Sequence, residues 1–305
     1  ITTPESLALM LSYEDSDKLF DNLKCVIIDE LHALAGTRRG DLLSLGLARL
    51  KSLSDKVRFT GLSATVADEE SLVDYLFGAA RVIRANPPVD PEITLFESRE
   101  RLPWSEHSAR HAVPEIYEMI KKQDAPVIVF VNTRAQAEIM FQNLWAINDG
   151  NLKIALHHGS LGREQRKKVE GAMAAGELQA VVATSSLDLG IDWGDVALVI
   201  QIGAPKGASR LLQRIGRANH RLDTPSRAVL VPCNRFEVLE CRAALEAIKH
   251  DQLDGETSSR GGLDILAQHI LGMACAAPLD PDKLYREIIN AAPYSMLDRQ
   301  DFNQT

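Results

Sequence analysis

The sequence predicts an α/β fold made of two parallel-sheet units, followed by the start of a small helical module. Three observations predict it. Strand and helix signals alternate through residues 1–90, pause in a proline-rich stretch, and begin again over residues 115–250. From Gly261 onward only helical patterns occur. Alternation of this kind builds a parallel sheet covered by helices.

In the first unit, Thr3 is placed to cap a helix whose first position is Pro4 and which runs through Ser6–Leu11. Val26-Ile27-Ile28 has no polar alternation, so it reads as a parallel strand buried on both faces. Leu43, Leu47 and Leu50 keep helical spacing between Asp41 and Leu53. Val57–Leu62 is a second strand and runs directly into Ser63-Ala64-Thr65. Asp68–Phe77 reads as a short helix that Gly78 stops.

Residues 86–114 hold five of the thirteen prolines, and residues 89–114 read as a linker, although Ile93–Phe96 has strand character of its own. The second unit then offers strands at Val127–Val131, Ile154–His157, Ala180–Thr184, Val196–Ile202 and Arg227–Val231. Helices fall at Ala135–Leu144, Arg163–Ala175 and 210–218. Leu263–Leu271 and a helix opened by Asp280-Pro281 close the chain. The expected domains are therefore 1–88, 115–255 and 260–305.

A length of 305 residues, 45% of them hydrophobic, suffices for roughly two cores. The chain opens at Ile1 inside a Thr-Thr-Pro-Glu segment and ends without a stop signal, so it reads as an excerpt of a longer protein. The net charge is −8, which excludes binding of nucleic acid by bulk electrostatics; any such binding must use local clusters and backbone amides. Four scattered cysteines with no CxxC pair suggest neither a zinc site nor a disulfide framework, and fit a reducing cytosol. No apolar run approaches a membrane span, so no membrane partner is expected.

Two features carry chemistry. Asp29 and Glu30 follow the first strand, at the edge where open α/β sheets bind ligands. There the first acid can help hold a Mg²⁺ ion bridging nucleotide phosphates, and the second can orient or deprotonate an attacking water. Arg210, Arg214, Arg217 and Arg221 are spaced four, three and four apart, which on a helix makes one basic face. A solvated basic face is the plain alternative.

The motifs fall in a fixed order: Thr3-Pro4-Glu5, Asp29-Glu30-Leu31-His32, Ser63-Ala64-Thr65, Phe130 to Arg134, His158-Gly159-Ser160, Ala183 to Asp192, and Gln213-Arg214-Ile215-Gly216-Arg217. This series resembles the superfamily 2 helicases of the DEAD/DEAH type. Gly190 to Gly194, Gly203 to Lys206, Gln213 to His220 and Arg235 to Glu240 resemble more narrowly the Lhr-type (large helicase-related) enzymes, in particular the bacterial ligase-associated DEXH-box DNA helicases.

The resemblance implies two RecA-like domains, the first truncated at its N-terminus, and the opening of a winged helix. It implies ATP and Mg²⁺ as cofactors, with Asp29 on the metal, Glu30 on the water, Gln213 helping to place that water, and Arg217 reaching the γ-phosphate from the second domain. Gly190 and Asp192 would lie against the ribose. Thr3, Pro4, Glu5, Thr133, Gly159 and Thr184 would hold one nucleic-acid strand, and His32, Ser63 and Thr65 would couple the two sites. Arg214 would pack or pair structurally. Asn219 and His220 stand where the superfamily usually has Gly and a second Arg; His220 is shared by the Lhr type and counts here with the catalytic set.

No G-x-x-x-x-G-K-[ST] occurs. The family's phosphate-cradling loop would precede Ile1, and without it these residues should not turn over ATP usefully. The second unit is expected to fold alone and the first is not. The implied function is 3′-to-5′ DNA translocation and unwinding, DNA–RNA hybrids included, in DNA repair in the bacterial cytosol or nucleoid, with a DNA ligase and a nuclease as partners by family association. The competing readings are an RNA helicase of the DEAD-box kind and a nucleic-acid-binding scaffold without a motor.

Overall fold

The computed structural model describes all residues except 55, 64–67, 86–88, 99–100, 188–195, 219–223, 251 and 255–259. It divides into two compact units, Ile1–Arg84 with Gly255–Thr305, and Ala85–Asp254.

The first unit opens with α1 (Pro4–Leu11) and α2 (Ser16–Phe20), followed by β1 (Cys25–Ile28), α3 (Leu31–Leu34) and the long α4 (Arg38–Leu53). Next come β2 (Arg58–Gly61) and α5 (Glu69–Tyr75). Strands β1 and β2 pair in parallel, Cys25 opposite Arg58 and Ile28 opposite Gly61. The expectation that β1 is buried on both faces fails. Ile27 is 66% exposed and Cys25 is exposed, because the sheet has two strands and only the Ile28 side meets helices.

The first strand of the second unit lies inside the stretch read as a linker. There β3 (Glu92–Leu95) pairs with the last strand of the sheet, as the strand character of Ile93–Phe96 suggested. After it come α6 (Val113–Lys121), β4 (Val127–Phe130), α7 (Arg134–Ala146), β5 (Ile154–His157), α8 (Arg163–Ala174), β6 (Ala180–Ala183), β7 (Leu198–Ile202), α9 (Ala208–Ile215), β8 (Arg227–Val231) and α10 (Arg235–Lys249). The six strands are parallel in the order β3-β8-β7-β4-β6-β5. Strands β4, β6 and β7 are buried along their whole length; β4 and β6 accordingly read as unbroken apolar runs, and β7 is apolar except for Gln201.

The chain then returns to the first unit with α11 (Leu263–Ala276), α12 (Pro281–Ile288) and α13 (Arg299–Gln304). The expected separate module at 260–305 shares one core with the N-terminal segment: Leu266, Met273, Leu284, Ile288 and Tyr294 pack with Leu7, Leu11, Leu45 and Leu47. Each fully buried leucine is worth about 1.5–3 kcal/mol of transfer free energy, so α4, buried along most of its length, is the spine of this unit. Polar links add register. Asp41 accepts from the Gly262 N–H at 3.1 Å, Arg38 pairs with Asp264, and Arg49 donates to Glu287 at 3.2 Å.

Candidate nucleotide and nucleic-acid site

Strand β1 delivers Asp29 to the carboxyl end of its sheet. The main chain then turns sharply, with Glu30 in the left-handed region at φ 50°, ψ 46°. The Glu30 N–H donates to Asp29 Oδ1 at 3.0 Å, and the Leu31 N–H donates to the Leu62 carbonyl at 2.9 Å. A strained φ at a non-glycine residue costs of order 1 kcal/mol and persists where the surroundings fix it. Here His32 is the fixing group. His32 Nε2 lies 3.5 Å from Glu30 Oε2, and His32 Nδ1 lies 2.9 Å from Ser63 Oγ.

Burial holds the His32 pKa below the ordinary histidine value, with the Glu30 charge opposing. A neutral imidazole has one donor and one acceptor. The nitrogen facing the carboxylate carries the proton, and Nδ1 accepts the Ser63 hydroxyl. One chain of polar contacts therefore joins the end of β1 to the end of β2. Thr65, expected to belong to it, lies outside the described residues.

Thr3 caps α1, accepting from the Ser6 N–H at 3.2 Å, and Pro4 occupies the first turn. Glu5 is held in a two-pronged pair by Arg39, at 2.6 and 3.1 Å, which pulls its carboxyl down to about 2. The carboxylate thus fixes α1 on α4, and the exposed Thr3 hydroxyl stands at the helix entrance.

In the second unit three expected residues come together. Thr133 follows β4, Thr184 follows β6 and Gly159 follows β5, and these strands are neighbours in the order β4-β6-β5. All three lie at the carboxyl edge. Thr133 is exposed and caps α7 through a reciprocal arrangement with Gln136. At Gly159 a Cβ would meet nothing within 4 Å, so the residue leaves an open main chain where packing does not demand glycine. Arg134 donates to Ser160, joining the β4 and β5 loops. Thr184 is buried, its hydroxyl 3.4 Å from Ser186 Oγ.

The arginine face needs correction. Helix α9 ends at Ile215, not at 218, and its arginines do not share one solvated face. Arg210 is exposed and Arg214 is 2% exposed. The Arg214 guanidinium donates to Gln201 Oε1 at 2.6 Å and lies 4.8 Å from the Phe130 ring centroid, so it is structural, as expected. Gln213 is half-buried on α9, and Arg217 is half-buried in the turn after it, its N–H donating to the Arg214 carbonyl at 3.1 Å. Gly190, Asp192, His220 and Arg221 lie outside the described residues.

Sequence reading missed two residues of this framework. Gln201, fully buried at the end of β7, donates to the Ile202 carbonyl at 2.9 Å while accepting from Arg214. Asp254 accepts from the Ser209 N–H at 2.9 Å at the start of α9, in space that a side chain on Gly207 would occupy. A lone glutamine inside an apolar strand is the signal that marks Gln201; nothing local marks Asp254.

Residues 1–72 match the DEAD/DEAH box helicase family, residues 109–223 the helicase conserved C-terminal domain, and residues 246–305 the winged helix domain of the large helicase-related protein. The chain is 36% identical to the ATP-dependent helicase Lhr-Core of Methanocaldococcus jannaschii, over 99% of this chain and 36% of that protein. It is 34% identical to the Lhr helicase/probable uracil glycosylase of Mycolicibacterium smegmatis, over 100% of this chain and 23% of that protein. The chain thus spans 23% to 36% of the length of these relatives. The structure of Mycobacterium smegmatis helicase Lhr bound to ssDNA and AMP-PNP superposes with a TM-score of 0.87 at 34% identity, covering 99% of this chain and 40% of that one. Among the described residues no helix is long and apolar enough to cross a membrane.

Proposed function

Because the chain belongs to the large helicase-related (Lhr) family of DEAD/DEAH box helicases, we propose that it is the motor segment of an ATP-dependent DNA translocase and helicase. The observation that carries this reading is the Glu30–His32–Ser63 chain, which ties an acidic pair on one strand end to the loop of the next. A pure binding scaffold has no use for it.

In this reading Asp29 holds Mg²⁺. The exposed carboxylate at a strand end suits an ion that keeps most of its water and takes one or two protein oxygens. When bound, the metal neutralises charge on the nucleotide phosphates. Glu30 orients the attacking water and accepts its proton. Gln213 assists in placing it, and Arg217 stabilises the charge spreading over the transferred phosphoryl group. The acids belong to the first unit and the arginine to the second. No G-x-x-x-x-G-K-[ST] loop to cradle the β- and γ-phosphates occurs in these residues, so turnover is proposed for the whole protein.

Thr3, Thr133, Thr184 and the amides near Gly159 grip one strand by its phosphates, a mode that positions the backbone without reading bases. It also suits a chain of net charge −8. Gly190 and Asp192 contact the ribose. The proposed polarity is 3′ to 5′, DNA–RNA hybrids are unwound as well as DNA duplexes, and the setting is repair in the bacterial cytosol, with a ligase and a nuclease as associates.

Strand displacement by the full-length protein tests the reading, using DNA and RNA duplexes with 3′ or 5′ single-stranded tails. Unwinding of 3′-tailed substrates with a DNA loading strand is expected. Preference for RNA loading strands irrespective of tail would favour an RNA helicase of the DEAD-box kind. ATP-independent binding alone would favour the scaffold.

A further inference from the structure

His157 is the last residue of β5 and is 1% exposed, yet no step described above uses it. Both ring nitrogens have partners. Nε2 lies 3.0 Å from Glu170 Oε1 on α8, and Nδ1 lies 2.8 Å from Ser186 Oγ. Ser186 is in turn 3.3 Å from the His157 carbonyl and 3.4 Å from Thr184 Oγ1. The Thr184 N–H donates to the same carbonyl at 3.3 Å. A line of polar groups therefore runs Glu170–His157–Ser186–Thr184 and ends on a residue assigned to the phosphate grip.

The donors can be ordered. A carboxylate oxygen only accepts, so Nε2 carries a proton. When the ring is neutral, Nδ1 must accept, and the single Ser186 hydroxyl proton is committed to it. Ser186 Oγ is then an acceptor toward Thr184, and the Thr184 hydroxyl proton points inward. When the ring is charged, Nδ1–H donates to Ser186 Oγ. Only then is the Ser186 hydroxyl proton released from the ring, to be given to the His157 carbonyl at 3.3 Å or to Thr184 Oγ1 at 3.4 Å, without leaving a buried nitrogen unpaired. When it is given to Thr184, the Thr184 proton turns to an outside acceptor.

We propose that His157 is a positioning residue which, through Ser186, sets the direction of the Thr184 hydroxyl and so couples proton uptake to the grip on a strand phosphate. The proposal rests on the reading of Thr184 as a phosphate contact. Burial holds the ring neutral in the free protein; Glu170 favours its charge, while Arg166 and the neighbouring His158 oppose it. A phosphate adds a favourable charge. Strand binding then takes up a proton, and affinity rises as pH falls through the ring's titration.

The test is the affinity of the full-length protein for a fluorescent oligo(dT) strand between about pH 8 and about pH 6. Wild type is expected to tighten by up to about tenfold, the limit set by one unit of pKa change. His157→Asn retains an acceptor at the Nδ1 position but cannot charge, so its profile should be flat. Glu170→Gln, a change on a helix surface, should displace the rise to lower pH, which guards against a folding defect in the first variant. Profiles of both variants that overlay the wild type overturn the inference. Thr184→Val separates the premise from it. Unchanged affinity at every pH removes the phosphate contact itself, whereas weakened binding with a wild-type pH profile in His157→Asn removes only the proton coupling.

Discussion

The Arg214 guanidinium donates to Gln201 Oε1 across 2.6 Å, and both side chains are buried. This pair fixes the end of α9 over β7 and so sets where Gln213 and Arg217 begin. Asn132, after β4, joins the framework by donating to the Ala204 carbonyl at 2.7 Å. Replacing Gln201 by Leu removes an acceptor from a buried charge and is expected to cost about 2 kcal/mol. Denaturant unfolding of the second unit, followed together with ATP turnover, checks it. Both should fall.

Gly207 has φ +110°, and a Cβ there would collide with the Asp254 carboxylate that caps α9. Gly207→Ala is expected to cost of order 1–3 kcal/mol, from the backbone conformation and loss of the cap together. Hydrogen exchange should show the first turn of α9 opening sooner, with the sheet unaffected.

Arg49 and Glu287 join α4 to α12 with Glu287 nearly buried. Glu287→Ala leaves the partly buried Arg49 guanidinium with the exposed Asp17 carboxylate at 3.8 Å and should destabilise the first unit by about 1–3 kcal/mol. A paired Arg49→Met, Glu287→Leu change should recover most of that. Thermal unfolding of the three variants gives the comparison.

His269 is buried on α11, and burial beside the Arg49 charge lowers its pKa to about 4. The unfolded ring titrates near about 6.5. Between these values the unfolded state binds more protons, so stability is full above the upper value and is lost as pH falls toward the lower one. The loss approaches about 3 kcal/mol. His269→Leu should flatten the dependence of first-unit unfolding on pH over that window.

What could be read from the residues alone follows the physics of each feature. Val127–Phe130 and Ala180–Ala183 were legible because a strand covered on both faces is apolar throughout. The same inference failed for Ile27, since an apolar run does not report how many strands flank it. Arg214 and Arg217 were legible as different in role only through the motif; spacing alone put them on one face, and the helix end at Ile215 parts them. The His32–Ser63 contact spans 31 positions, and the return of 260–305 onto α4 spans over two hundred; no local pattern encodes either.

The central claim is that hydrolysis needs Arg217 together with Asp29 and Glu30. Its most direct test is strand-stimulated ATP turnover by the full-length protein carrying Arg217→Ala, with strand affinity measured alongside. The account predicts turnover reduced about a thousandfold or more with strand binding retained; turnover equal to wild type would contradict it.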